Sequence, residues 1–304
     1  MRKATFDPGL TQQFTSPFRR VINKDGSFNV HRRGTTWRDI HPYLHLINMS
    51  WVRFFAAVLF VYFLVNVAFA GVYYLLGQDQ LSGMENIGSF HRMLNCFFFS
   101  SHTLSTVGYG NFYPKGISAN FVASIESLIG VLGFAVATGL LFGRVSRPSA
   151  RIGFSEQMLV APYQESTSLQ FRVVNRRTND LMDIEARMML MTVTQQDGKP
   201  IRNYDNLKLE REQVVFLPLT WTIVHPIDSD SPLYGKTAAD IKEQQTELLI
   251  VIKAYDDTFS QTVIARHSYR YDEIVWGRRF APAFYVDGEG DIVLELPKLG
   301  EVAG

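Results

Sequence analysis

Two long apolar stretches dominate the hydrophobic pattern of the chain. Residues 54–76 carry no charge over 23 positions, and residues 118–142 carry only one, at Glu126. A helix needs about 20 apolar residues to cross the hydrocarbon core of a bilayer. The pattern therefore predicts two transmembrane helices. Residues 78–116 between them are too long for a hairpin and contain an apolar run at 97–99, which favours a re-entrant pore helix.

After Arg151 the long apolar runs give way to short alternating segments. Alternation with a period of two is typical of half-buried strands. These segments are 169–173, 184–191, 221–224, 248–254 and 261–266. Only residues 237–245 have a helical pattern. The predicted fold class is membrane α plus all-β: two transmembrane helices with a re-entrant pore helix and filter, followed by an immunoglobulin-like cytoplasmic β-sandwich.

Four parts of the chain follow from these patterns. We expect a cytoplasmic N-terminal segment at 1–36, an interfacial helix at 37–50, a transmembrane pore domain at 51–147 and the cytoplasmic β-sandwich at 148–304. The interfacial helix is predicted because residues 37–49 mix aromatic and aliphatic side chains with charged ones, although an ordinary amphipathic linker has the same composition. Pro42 must lie in its first turn or kink it.

A short loop between the spans carries the strongest chemical signal. Thr106, Val107, Gly108, Tyr109 and Gly110 spell TVGYG, the known filter sequence of potassium channels. Backbone carbonyls replace the hydration shell of an ion without the burial of full charges. The two glycines permit positive φ values that turn successive carbonyls to one side, while Val107 and Tyr109 pack behind the filter. A Gly-rich turn between strands is the alternative interpretation of these five residues alone.

Charge sets the expected orientation. The 304 residues are 46% hydrophobic and 19% charged with a net charge of +1, which fits a small membrane protein with a soluble part. Basic residues gather before the first span and after the second, among them Arg53, Arg144, Arg147 and Arg151. The positive-inside rule then places both termini in the cytoplasm. These arginines are also candidate contacts for anionic lipid, although a cluster that only fixes topology would look the same.

Two cytoplasmic stretches carry a more specific resemblance. Residues 225–235 read HPIDSDSPLYG and residues 272–277 read DEIVWG. Together with the filter and the segment VINKDG at 21–26, they resemble the prokaryotic inward-rectifier potassium channels from about Val21 to Leu296. The resemblance implies a multi-pass homotetrameric channel in the bacterial inner membrane. It also implies that permeant K⁺ ions are the only ligands of the filter, and we expect no other metal or cofactor.

The resemblance also implies a gate where the inner helices cross. Phe134, Thr138 and Phe142 share one face of the second span, and the two phenylalanines occupy positions where the family narrows its pore. Packing of each against lipid or the first span is the alternative. Movement of the cytoplasmic domain is implied to reach this gate through the helix at 37–50, the slide helix of the family.

Several positions qualify what the family implies. Gly130 and Gly133 are hinge candidates, although close helix packing also selects small residues. Gly133 occupies the position of an acid in strongly rectifying relatives, so strong rectification is not expected. Asp183 aligns with an acidic position in the cytoplasmic pore of those relatives; it either substitutes in part for the missing inner-helix acid or is a solvated strand residue.

Two residues are expected behind the filter. His102 replaces the pore-helix glutamate of eukaryotic relatives. An unpaired Glu126 would cost about 2.5 to 3.5 kcal/mol in a span, so we expect it behind the filter with a partner or in a watery niche.

The resemblance also implies which partners regulate or block the channel. Anionic lipids, including phosphoinositides, are implied regulators, and Ba²⁺, Mg²⁺ or polyamines are implied blockers; no nucleic-acid partner is expected. No metal-ligand cluster or nucleophile motif is visible in the sequence, so we expect no enzyme and interpret His225 and His267 as structural. Two alternatives stay open: another class of pore-loop cation channel, and a membrane-anchored β-sandwich that conducts nothing.

Overall fold

The computed structural model describes residues 8–10, 20–34, 36, 41–83, 88–146 and 150–303. The chain divides into two compact units. We call residues 33–147 the helical unit, and residues 1–32 together with 148–304 the β unit. The described N-terminal residues 20–32 therefore belong with the β unit rather than with the helices that follow them.

The described residues of the helical unit form four α-helices: α1 (Pro42–Asn48), α2 (Trp51–Leu76), α3 (Ser89–Leu104) and α4 (Ile117–Val145). Within the described ranges, α2 and α4 are long and apolar enough to cross a membrane, and only 11% and 6% of their most apolar windows are buried in the chain. A core helix of a soluble protein would be mostly buried. The exposed apolar faces of α2 and α4 therefore need lipid or other copies of the chain around them. Both predicted spans are confirmed as helices, each a few residues longer than the apolar stretch that predicted it.

The two shorter helices correspond to the predicted interfacial and pore helices. Pro42 begins α1, where a proline costs little because the first amides of a helix have no intrahelical partner. Residues 37–40, the predicted start of the interfacial helix, lie outside the described residues. α3 lies just before the TVGYG loop. A two-stranded antiparallel sheet of β1 (Leu81–Ser82) and β2 (Tyr113–Pro114) joins the segments on either side of α3 and that loop.

The described part of the β unit is built mainly of strands, which range from 2 to 16 residues. They are β3 (Ile152–Phe154), β4 (Met158–Tyr163), β5 (Ser166–Asn175), β6 (Leu181–Gln196), β7 (Lys199–Leu207), β8 (Gln213–Phe216), β9 (Thr220–Ile227), β10 (Glu247–Asp256), β11 (Gln261–Arg270), β12 (Ile274–Trp276), β13 (Arg279–Phe280), β14 (Phe284–Val286), β15 (Ile292–Leu294) and β16 (Val302–Ala303). One five-stranded sheet has the order β11-β10-β6-β7 with β8 also on β6, and the other has the order β12-β4-β5-β3 with β9 also on β5.

The two sheets enclose one apolar core. Phe171 from one sheet and Ile184, Met188 and Leu248 from the other are fully buried in it. Burial of each such side chain contributes about 1.5 to 3 kcal/mol. The predicted β-sandwich is thus confirmed, and the predicted helical segment is α5 (Ala238–Glu243), which a capping box at its start stabilises.

Candidate functional site

The TVGYG loop follows α3 directly and is hydrogen-bonded to its C-terminal end. The amides of Val107 and Gly108 donate to the carbonyl of His102 at 3.0 and 3.3 Å, and the amide of Thr106 donates to the carbonyl of Thr103 at 3.1 Å. In a trans peptide the carbonyl points opposite to the amide of the next residue. Because the amides of residues 107 and 108 turn toward α3, the carbonyls of residues 106 and 107 face away from it.

The backbone of the loop has an unusual alternation. Thr106, Gly108 and Gly110 have φ values of 60°, 58° and 81°, so every second residue is left-handed. In an ordinary extended chain successive carbonyls point to opposite sides, and a left-handed residue at every second position turns them to the same side. Threonine rarely adopts such a φ, and strain of this kind concentrates at functional sites. All five residues are exposed in one chain. The carbonyl face is therefore open to other copies.

His102 and Tyr109 pack together beside this loop. The two rings meet edge to face with their centroids 4.8 Å apart. The tyrosine ring is thereby held against the last turn of α3, on the side that also anchors the loop amides. The site residue His102 thus contacts the filter loop in two ways, through its backbone carbonyl and through its imidazole.

Glu126 lies at the centre of a buried polar cluster. Its Oε2 accepts a hydrogen bond from the hydroxyl of Tyr73 at 2.6 Å, and its Oε1 lies 2.5 Å from the hydroxyl of Ser100. Ser100 Oγ is also 3.1 Å from Oδ1 of Asn66. We call these four residues the polar node; it joins α2, α3 and α4. The sequence predicted a partner or a watery niche for Glu126, and the structure shows partners; their identity was not predicted, although Asn66 and Ser100 are visible as polar positions in apolar surroundings.

The predicted gate residues share one exposed face of α4. Phe134 and Phe142 are 76% and 72% exposed within the chain, and Thr138 between them is exposed as well. Spacings of four residues place all three on one side of the helix. Large aromatic rings with no cover inside their own chain must face lipid, another copy or a water-filled path.

The two hinge candidates on α4 differ in their surroundings. A Cβ atom added to Gly130 would collide with the backbone carbonyl of Leu104, the last residue of α3. A Cβ atom added to Gly133 would meet no described atom of the chain within 4 Å. Gly130 is therefore a site of close helix packing, which is one of the two interpretations that the sequence allows.

Arg144 is engaged inside the helical unit. Its guanidinium donates to the carbonyls of Leu46 and Ile47 in α1 and of Met49 just beyond it, at 2.5 to 2.8 Å. It also lies 4.7 Å from the ring centroid of Trp51 and the same distance from that of Phe54. A cation at these carbonyls complements the negative end of a helix dipole. Arg144 thus ties the end of α1 to the end of α4.

The other charged candidates have fewer contacts. Arg53 and Arg151 are exposed, whereas Arg147 lies outside the described residues. Asp183 is exposed on β6 with a φ of 48°, at an irregularity where that strand changes register against β10. Its exposure agrees with both interpretations of this acid, in a cytoplasmic pore and on a solvated strand.

His225, in the first family-specific stretch, has a structural place. Its Nδ1 lies 2.6 Å from the carbonyl of Lys208 and its Nε2 lies 2.8 Å from the hydroxyl of Ser231. Burial lowers the pKa of His225, so the imidazole is neutral near pH 7. His267 is also buried, and burial lowers its pKa to about 4. Both histidines therefore pack as neutral rings.

The second family-specific stretch binds the N-terminal segment. Glu273 forms ion pairs with Arg20 and Lys24. The carboxylate of Glu247 accepts a hydrogen bond from the amide of Val21, 3.1 Å from each oxygen. The DEIVWG stretch and the VINKDG segment thus lie together in the β unit, a link between distant stretches that the sequence does not reveal.

Comparisons with known proteins agree with this architecture. Residues 152–303 match the inward rectifier potassium channel C-terminal domain, and residues 60–147 match the family described as ion channel. Inward rectifier potassium channel Kirbac3.1 of Paramagnetospirillum magnetotacticum is 35% identical over 290 residues, which cover 93% of this chain and 96% of that protein.

More distant relatives are similar over much of the chain. Human G protein-activated inward rectifier potassium channel 4 is 25% identical over 312 residues, 93% of this chain and 73% of that one. Channel 1 of the same type from Bos taurus is 24% identical over 294 residues, 88% of this chain and 58% of that one. Since the domain match and the 35% identical relative together cover both units, the chain is a membrane protein of the inward rectifier potassium channel family, a family of ion channels and not of enzymes.

Proposed function

We propose that four copies of the chain form a K⁺ channel in which residues 106–110 of each copy supply one wall of the selectivity filter. The observation that carries this proposal is the left-handed alternation at Thr106, Gly108 and Gly110, with loop amides anchored on α3. Around a fourfold axis the carbonyls form stacked rings that replace the hydration shell of K⁺. Both termini are cytoplasmic, in a bacterial inner membrane, and the ion needs no further cofactor.

Ion flux into liposomes tests this function. The full chain, purified and reconstituted, is expected to take up Rb⁺ and K⁺ at least about tenfold faster than Na⁺, because a smaller ion gains less from carbonyls spaced for K⁺. Ba²⁺, which resembles K⁺ in size but carries twice its charge, is expected to block uptake. Empty liposomes are the control. Equal Na⁺ and Rb⁺ uptake through intact tetramers would contradict the proposal.

The gate follows from the exposed face of α4. Four copies bring four Phe134 and four Phe142 side chains toward one axis, and apolar rings of this kind close a pore by excluding water. Thr138 lies between the two levels. Cytoplasmic-domain movement, passed on through the slide helix, opens this crossing. Arg144 supplies a physical connection within the helical unit, since it joins the end of α1 to the end of the gate helix.

Shortening the lower phenylalanine is expected to raise flux. Phe142→Ala removes the ring that excludes water, so Rb⁺ uptake should increase several-fold at unchanged selectivity. The matched control is Phe60→Ala, which shortens a ring of similar exposure, 65%, on α2. Unchanged uptake in Phe142→Ala with intact assembly, or an equal increase in Phe60→Ala, would count against a gate at this position.

Anionic lipid, such as a phosphoinositide, is proposed as a modulator that binds basic residues at the cytoplasmic surface. Each exposed arginine there gains about 1 kcal/mol from an anionic leaflet. Arg53 and Arg151 are exposed, whereas Arg144 already has three carbonyl partners, so the first two are the stronger candidates. Uptake measured with and without anionic lipid tests the modulation.

Block from the cytoplasmic side is proposed to be weak. Gly133 puts no acid at the inner-helix position where strongly rectifying relatives attract Mg²⁺ or polyamines, and Asp183 is the remaining candidate from the sequence. Strong rectification is therefore not part of the proposed function.

A further inference from the structure

The polar node contains four polar side chains that are buried completely. Asn66, Tyr73, Ser100 and Glu126 each have 0% of their surface exposed. At membrane depth no water satisfies such groups, so every donor and acceptor must find its partner inside the protein. The direction of each hydrogen bond in the node can therefore be assigned from the number of protons that the four side chains hold.

The orientation of the Asn66 side-chain amide is determined by its backbone partner. Its Nδ2 donates to the backbone carbonyl of Tyr62 at 2.8 Å. A carbonyl only accepts hydrogen bonds, so the amide orientation is set by chemistry. Oδ1 of Asn66 therefore faces Ser100 Oγ at 3.1 Å and needs a donor from it. Ser100 has a single hydroxyl proton to give.

Glu126 competes for that same proton if it is ionised. Tyr73 gives its one proton to Oε2. An ionised Oε1 would take the proton of Ser100 and leave Oδ1 of Asn66 facing a lone pair, which is an unsatisfied buried acceptor. Such an acceptor costs about 1 to 3 kcal/mol. The 2.5 Å separation of Oε1 and Ser100 Oγ fits either direction of donation, since ionised and acidic oxygens both form short bonds.

A protonated Glu126 gives every side-chain oxygen of the node a hydrogen-bond partner. Its Oε1 hydroxyl donates to Ser100, Ser100 donates to Asn66, and Asn66 donates to the Tyr62 carbonyl, while Oε2 accepts from Tyr73. No charge then lies at membrane depth, where an isolated carboxylate is expensive. We propose that Glu126 is a neutral carboxylic acid that donates to Ser100, and that this ordered chain of hydrogen bonds positions the pore helix.

The position of Ser100 links this chain to the filter, so this part of the proposal rests on the proposed function. Ser100 is two residues before His102, whose carbonyl anchors the amides of Val107 and Gly108. Hydrogen bonds from both spans thus hold the last turn of α3. Glu126 is a positioning residue: it acts on the filter through α3 and touches no ion.

Infrared spectroscopy tests the protonation state directly. The full-length wild-type protein in lipid at pH 7 is expected to show a carboxylic-acid C=O band that is absent in Glu126→Gln. The matched control Glu289→Gln removes an exposed carboxylate and should leave the band unchanged. Ser100→Ala removes the acceptor of the acid proton and should shift the band. A wild-type spectrum without the band would overturn the proposal.

Flux selectivity tests the positioning role. The amide of Glu126→Gln donates to Ser100 and accepts from Tyr73 as the neutral acid does, so its Rb⁺/Na⁺ ratio should stay within about twofold of wild type. Glu126→Leu removes the donor to the Ser100 oxygen and the acceptor of the Tyr73 proton, and should lower the ratio about tenfold. Equal damage in both variants would overturn the neutral-acid assignment. A wild-type protein with the band but without selectivity would contradict the proposed function while it establishes the neutral acid.

Discussion

Gly108→Ala is expected to abolish selective Rb⁺ uptake in reconstituted liposomes. Gly108 has a φ of +58°, and its amide is anchored on the carbonyl of His102. A left-handed conformation is unfavourable by about 1 to 2 kcal/mol for a residue with a Cβ atom, and in a tetramer this penalty applies in each of the four copies. The strain is relieved when the peptide plane turns, and this rotation takes a carbonyl away from the ion path.

The control for this substitution is a glycine with no such constraint. Gly71 lies inside α2, and an added Cβ atom would meet no described atom of the chain within 4 Å. Gly71→Ala should therefore keep full selective uptake and stabilise the helix by up to about 1 kcal/mol. Selective uptake by Gly108→Ala at the level of Gly71→Ala would show that the left-handed alternation does not build the filter.

The elements of this fold could be predicted because their signals are local. A charge-free run of 23 residues specifies α2 without reference to the rest of the chain, and alternation at 169–173 specifies β5 in the same way. The glycines of TVGYG likewise indicate where φ is positive. Thr106 shares this conformation although its residue type argues against it. Its φ depends on the contact of the loop with α3, which is a tertiary feature.

The contacts of the charged residues could not be predicted for the same reason. In the sequence, Arg144 is one of several basic residues that follow a span. In the structure it donates to carbonyls of α1, because the end of α1 lies beside the end of α4. Glu126 was expected to have a partner, but which of the polar side chains on the other helices reach it depends on how those helices pack. The sequence likewise does not reveal that Glu273 and Glu247 bind the N-terminal segment, because these contacts join residues far apart in the chain.

Gly130→Ala is expected to disrupt the pore while Gly133→Ala is tolerated. The Cβ atom at Gly130 would collide with the carbonyl of Leu104, a backbone atom that moves only if the end of α3 moves. Overpacking of this kind costs about 1 to 3 kcal/mol in each chain, and the end of α3 also anchors the filter loop through His102. We therefore expect both a lower thermal stability of the tetramer and a loss of Rb⁺ over Na⁺ selectivity.

Gly133→Ala separates close packing from a hinge. The two glycines are less than one helical turn apart, so a bend of α4 would use both, and alanine at either would alter opening alike. Close packing affects Gly130 alone, because an added Cβ atom at Gly133 would meet no described atom of the chain within 4 Å. Tetramer melting and selectivity should therefore stay at wild-type values in Gly133→Ala. The opposite result is that both variants keep their stability and selectivity and both slow channel opening. In that case α4 bends at these glycines, and close packing against Leu104 does not explain why residue 130 is a glycine.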